Sequence, residues 1–190
     1  MEVEQFVMAY GAEQDRLRAI LPDGFASLRP VLRINAEILN GAEGRLEFNT
    51  AVSRGETRGW LNIAHWENVP FAQSGSVTVF KTGFLEITFT GVGIRGGCPA
   101  EKDNAGCFFL EDSIRLRPPE KIGAEKEFCD CTFAWRFAGG DAHGVSLGKT
   151  LPAVPTEPVR SYPRRAFTAE NAAAIPCGQV LGAYRVRFSR

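Results

Sequence analysis

Arg33, Asn35 and Glu37 take every second position of one segment, R-P-V-L-R-I-N-A-E-I-L, and Arg45, Glu47 and Asn49 do so in R-L-E-F-N-T-A-V-S. A period of two carries each set to one side of a β-strand. Leu32, Ile34, Ala36 and Ile38, with Leu46, Phe48, Thr50 and Val52, take the other side. Carboxylates held close push their pKa values apart, which makes Glu37 and Glu47 candidates for acid/base chemistry. Arg33 and Arg45 would either neutralise them or grip a substrate carboxylate through paired hydrogen bonds. The plain alternative is cross-strand pairing on a solvated face, worth about 0.2–1 kcal/mol per pair. The functional alternative is the polar floor of a ligand cavity, in which Arg33, Asn35, Glu37 and Asn49 bind and Glu47 reacts.

A nucleophile has to come from elsewhere. The lysines are Lys81, Lys102, Lys121, Lys126 and Lys149. Lys102 in E-K-D, and Lys121 and Lys126 beside glutamates, are expected to stay solvated and charged. Lys149 lies in a loop and is the rival to Lys81. Lys81, in S-V-T-V-F-K-T-G-F-L-E-I, is the catalytic candidate. On one regular strand over 76–90 it shares the face of Val77, Val79, Leu85 and Ile87, where desolvation lowers an amine's pKa and frees its lone pair. A turn at Thr82-Gly83 would instead swing it into water.

Other chemistry-bearing types are weaker candidates. His65, between Ala64 and Trp66, reads as a satisfied core histidine. Asp141, His143 and Ser146 supply triad residue types on a Gly-rich loop without a nucleophile elbow. Gly91-x-Gly93-x-x-Gly96 spells a dinucleotide fingerprint, but Gly97-Cys98-Pro99 follows where a helix must begin. Cys98, Cys107, Cys129, Cys131 and Cys177 match no standard zinc spacing and read as structural thiols. Neither a metal nor another cofactor is expected.

The elements that must position these residues follow from pattern. Asn40-Gly41-Ala42-Glu43-Gly44 is a turn-rich loop, so residues 29–39 and 45–53 form an antiparallel hairpin. A five-residue loop sets Glu37 opposite Glu47; a three-residue loop sets Glu37 opposite Arg45 and Asn35 opposite Glu47. Both registers keep Leu46 and Phe48 on the apolar side. Residues 12–21 read as a helix, with Glu13 and Asp15 in its first turn, Leu17, Ile20 and Leu21 as its stripe, and Pro22 as its stop. Strands are expected over 58–67, 76–90, 107–117, 126–138 and 178–188. A short capped helix starts at Thr168 and ends before Pro176.

The chain of 190 residues suits one domain, 1–190, and carries 22 basic against 22 acidic residues. No basic stripe points to nucleic acid, and no apolar run is long enough for a membrane span. An odd cysteine count, and a start without a signal-peptide pattern, place the expected location in the cytoplasm. The expected partner is a small-molecule ligand, with homo-oligomerisation compatible with the composition.

The N-terminal third resembles the acetoacetate decarboxylase superfamily. The family helix pattern Y-x-T-D-x-x-A-L-x-x-x-x-P compares with Tyr10-Gly-Ala-Glu-Gln-Asp-Arg-Leu17 through Leu21-Pro22, and the Pro30–Glu37 strand follows. Glu47 falls where the family's next strand carries an acidic pocket residue. The resemblance covers residues 5–66 and implies an opening strand, a mainly β (α+β) fold and a polar pocket. It also implies Schiff-base chemistry by one of two adjacent lysines in Tyr-Pro-Lys-Lys, and Lys81 lies near that position by strand count. No Lys-Lys pair exists here. Tyr162-Pro163-Arg164-Arg165 echoes the tetrapeptide later in the chain, but arginine is no amine nucleophile at neutral pH. The family's early pocket arginine falls on Val3.

The sequence therefore predicts a curled antiparallel sheet or β-barrel with one N-terminal helix and a short C-terminal helix. The expected function is binding of a small carboxylate or keto acid, with carbon–carbon lyase chemistry as its catalytic form. A non-catalytic ligand-binding barrel, or an interaction domain without a pocket, are the alternatives.

Overall fold

The computed structural model describes residues 1–99, 106–109, 114–118, 122–136, 160–161 and 175–190. Its strands are β1 (Glu2–Gly11), β2 (Ala26–Leu39), β3 (Glu43–Arg54), β4 (Thr57–Trp66), β5 (Phe71–Ser74), β6 (Val77–Lys81), β7 (Leu85–Pro99), β8 (Cys107–Phe109), β9 (Arg115–Arg117), β10 (Glu125–Trp135), β11 (Arg160–Ser161) and β12 (Gln179–Ser189). One helix, α1 (Gln14–Ile20), follows β1. The strands form a single 12-stranded sheet in the order β5-β6-β7-β10-β12-β1-β2-β3-β4-β8-β9, with β11 on β4. The described pairings are antiparallel except that of β4 with β8.

The sheet curls without closing. The Val69 amide donates to the Gly44 carbonyl at 2.9 Å, and the Val69 carbonyl fills the space a side chain on Gly44 would need. Yet β5 and β9, the ends of the order, are not paired among the described residues, so of the two expected forms, curled sheet and β-barrel, it is the open curled sheet. Closure needs a ladder between first and last strands, and these two are only 4 and 3 residues long.

β1 sits mid-sheet between the chain's last strand and β2, with Val3 opposite both Phe188 and Leu39. The helix is shorter than residues 12–21 because the flanking Glu13 and Leu21 are extended, with ψ of 126° and 145°. Leu17 is its buried residue, and Pro22, which has no N–H, follows it. In the β2–β3 hairpin Glu37 pairs with Arg45 and Asn35 with Glu47, the three-residue-loop register. Asn40 and Gly41 take φ of 48° and 70°, values that an Asn-Gly dipeptide accommodates with little strain.

Two expected elements differ. Residues 76–90 are two strands, because the Thr82 hydroxyl accepts from the Phe84 and Leu85 amides at 3.1 and 3.0 Å and turns the chain. Residues 107–117 contain β8 and β9, paired with each other. Gly91-x-Gly93-x-x-Gly96 lies inside β7, so it forms no phosphate loop. The short helix from Thr168, Phe137, the loop carrying Asp141, His143 and Ser146, Lys102, Lys121, Lys149 and Tyr162–Arg165 lie outside the described residues.

One face of the curl carries the main core. Leu32, Ile34, Leu46, Phe48 and Trp135 are fully buried there, and half-buried Phe133 packs against them. The Phe48 ring lies 4.8 Å from Trp66 and 5.5 Å from Trp135 between centroids, edge to face. Phe48→Ala and Trp135→Ala are each expected to cost about 3–5 kcal/mol in urea unfolding. Losses under ~1 kcal/mol at both sites would mean that the two faces of the sheet are interchanged.

Candidate functional site

The opposite face of β1–β4 carries polar side chains in register. Across one row lie Tyr184, Val7, Asn35, Glu47 and His65, each opposite the next. The row on one side runs Gly182, Ala9, Arg33, Asn49 and Asn62. The row on the other side runs Val186, Gln5, Glu37 and Arg45. Five predicted residues, Arg33, Asn35, Glu37, Glu47 and Asn49, thus share one surface. The face is not the solvated one of the plain reading: Arg33, Asn35, Glu37 and Asn49 are all buried, and Asn35 is 1% exposed.

Burial forces each polar group to find a partner, and most do. Glu37 accepts two hydrogen bonds from the Arg190 guanidinium at 2.9 and 2.8 Å and one from the Gln5 amide at 2.8 Å. Asn49 accepts from the Asn62 amide at 3.2 Å. Arg33 stacks on Trp60 at 5.3 Å and approaches the Tyr184 hydroxyl at 3.5 Å. Burial lowers the Arg33 pKa, opposed by Tyr184, Cys107 and Glu47. Arg45 turns away to Glu43 at 2.7 Å.

Glu47 is nearly buried, and its Oε1 lies 3.5 Å from His65 Nδ1. Burial alone would raise its carboxyl, but the hydrogen bond and charge of His65, with Arg190 and Arg117, outweigh that and hold it below the usual range. His65 Nε2 lies 3.5 Å from half-exposed Glu67, so the histidine links a buried carboxylate to a surface one. The neighbouring Cys107 thiol is pushed up to about 12, chiefly by burial and then by Glu47, which leaves it inert at neutral pH.

Asn35 is the exception. Neither its amide oxygen nor its amide nitrogen has a hydrogen-bond partner among the described residues, and the same holds for the Gln5 oxygen. A buried polar group left unpaired costs on the order of 1–3 kcal/mol, so such groups mark places where a ligand or water belongs.

Lys81 does not join this face. It lies on β6, which β7, β10, β12 and β1 separate from β2 in the sheet. Its side chain is 41% exposed and its ammonium is 2.7 Å from Glu86, which Arg136 also approaches at 3.3 Å. The Thr82 turn accounts for this placement. Sequence reasoning missed Gln5, Asn62, Tyr184 and Arg190 and took His65 for core. Continuing the period-two phase of Tyr184, Val186 and Phe188 by one step would have reached Arg190. No local signal sets Gln5 beside Glu37. Among the described residues there is no cluster of His, Cys, Asp or Glu able to hold a metal, and no helix long and apolar enough to cross a membrane.

No protein-family model and no curated protein sequence matches this chain. Solved structures do match its fold. An acetoacetate decarboxylase from Legionella pneumophila superimposes with a TM-score of 0.58 at 10% identity, covering 98% of this chain and 81% of that one. The enduracididine biosynthesis enzyme MppR complexed with pyruvate gives 0.51 at 10% identity, covering 98% and 84%. A further acetoacetate decarboxylase structure gives 0.52 at 10% identity, covering 98% and 82%. The chain has an acetoacetate-decarboxylase-like fold.

The Arg190–Glu37 pair tests how dry the polar face is. Arg190→Leu leaves Glu37 buried with Gln5 as its remaining side-chain hydrogen-bond partner among the described residues, and should cost about 3 kcal/mol in urea unfolding at pH 7. A loss below ~1 kcal/mol would mean water reaches that carboxylate freely.

Proposed function

We propose that this chain binds a small carboxylate or keto acid over the polar face of β2 and β3. The observation that carries the reading is the Asn35 amide, buried at 1% exposure with both polar atoms unpartnered, flanked by Arg33 and facing Glu47. In this reading Arg33 supplies the cationic donors for the acid and Asn35 orients the adjoining oxygen. Glu37 and Asn49 brace the two flanks through Arg190 and Asn62. Glu47, kept ionised below the usual carboxylate range, is the group able to take a proton. The fold supports the ligand class, since one similar structure holds pyruvate.

The catalytic form is a lyase. It is supported by the acetoacetate decarboxylases among the similar structures, with Glu47 as acid/base and Lys81 as the amine. Lys81 stands four strands from β2 and is paired with Glu86, so imine chemistry there requires the keto acid to reach β6 and the ammonium to leave Glu86, because an ion-paired ammonium is no nucleophile.

Calorimetric titration with pyruvate should show binding, and Glu47→Gln should weaken binding or turnover by about tenfold with a nearly unchanged melting temperature. A shift in melting temperature alone, with binding intact, would make Glu47 a structural residue. Borohydride added with pyruvate decides the lyase form: an irreversible adduct on Lys81, lost in Lys81→Arg, would establish imine chemistry. No adduct across a panel of keto acids and aldehydes would leave a binding protein.

A further inference from the structure

The unpartnered atoms of the polar face are mostly acceptors. Gln5 donates its amide nitrogen to the Glu37 carboxylate at 2.8 Å, and this fixes which end of its amide is the oxygen, because a carboxylate cannot donate. The Gln5 oxygen is therefore a buried acceptor without a donor among the described residues, and the residue is 0% exposed. Asn35 offers a second such acceptor and one unpartnered donor, whichever way its amide is turned. Gln5 opposes Glu37 and Asn35 is two positions along the same strand, so the two amides are diagonal neighbours. Glu47, ionised and opposite Asn35, is an acceptor as well. A plain keto acid brings only acceptors. It would satisfy the Asn35 nitrogen and leave the amide oxygens as they are.

We infer that the ligand of this face is a small acid carrying an O–H or N–H donor beside its carboxylate, a hydroxy or amino acid, with the donor received by Asn35 and Gln5. This rests on the acid-binding reading above and narrows its substrate class. The carboxylate goes to Arg33 in the adjacent row, and the donor on the next carbon lies over the amide oxygens. A site whose buried polar atoms are built for a donor rejects the analogue that lacks one, because those atoms then stay unpaired.

The test is calorimetric titration of the full chain with four three-carbon acids: propionate, pyruvate, lactate and alanine. The expected result is binding of lactate or alanine at least about tenfold tighter than of pyruvate and propionate, the equivalent of one added hydrogen bond. Asn35→Leu, close in volume, should abolish that preference while the melting temperature holds or rises, since an unpartnered amide is replaced by an apolar group. If Asn35→Leu does not fold, the preference measured on the unaltered chain still decides the question. Equal binding of all four acids overturns this inference and leaves the acid-binding reading standing. Absence of binding by any of them overturns the acid-binding reading itself. A preference that survives in Asn35→Leu overturns the assignment of the donor to Asn35.

Discussion

The strand β2 is buried on both faces from Leu32 to Leu39, and much of the rest follows from that constraint. One face is apolar and costs nothing to bury. The other carries Arg33 and Glu37, which are satisfied by neighbours, and Asn35, whose amide has no partner among the described residues. Glu37 draws in Gln5 from the first strand and Arg190 from the end of the chain. The same clasp appears in the backbone, where the amino group of Met1 donates to the Arg190 carbonyl at 2.7 Å. The long β1–β12 ladder and the buried charge of Glu37 therefore support one another. Loss of either leaves an ion or a strand edge without a partner.

Two of the charged clusters on the sheet behave differently for the same reason. Lys81, Glu86 and Arg136 compensate one another near solvent, with Lys81 41% exposed. The β2–β3 face is drier, so its electrostatics are stronger and each unmatched group matters more. Glu47 sits between these regimes: nearly buried, yet joined through His65 to Glu67, whose side chain is 40% exposed.

The likeness to acetoacetate decarboxylases lies in the backbone. At about 10% identity a curled sheet of this order can persist while the residues on its polar face change, because the core needs only apolar side chains of suitable size in phase. The sequence has no adjacent lysines of the kind that the resemblance implies. Strand phase and surface chemistry are set by alternate residues of the same strands.

The sequence by itself determined the phase of β2, β3 and β10, the helix stop at Pro22 and the shared face of Arg33, Asn35, Glu37, Glu47 and Asn49. These depend on a period of two and on local turn chemistry, which need no information from distant residues. It narrowed the hairpin to two registers; the left-handed backbone at Asn40 and Gly41 selected one. Only the tertiary structure decided that this polar face is buried, that Gln5 and Arg190 meet Glu37, and that His65 faces Glu47 and lies outside the core. These contacts join residues 32 and 153 positions apart, which no local pattern encodes. The place of Lys81 was decided there too: the Thr82 hydroxyl accepts from two amides and ends β6, and four strands separate that strand from β2.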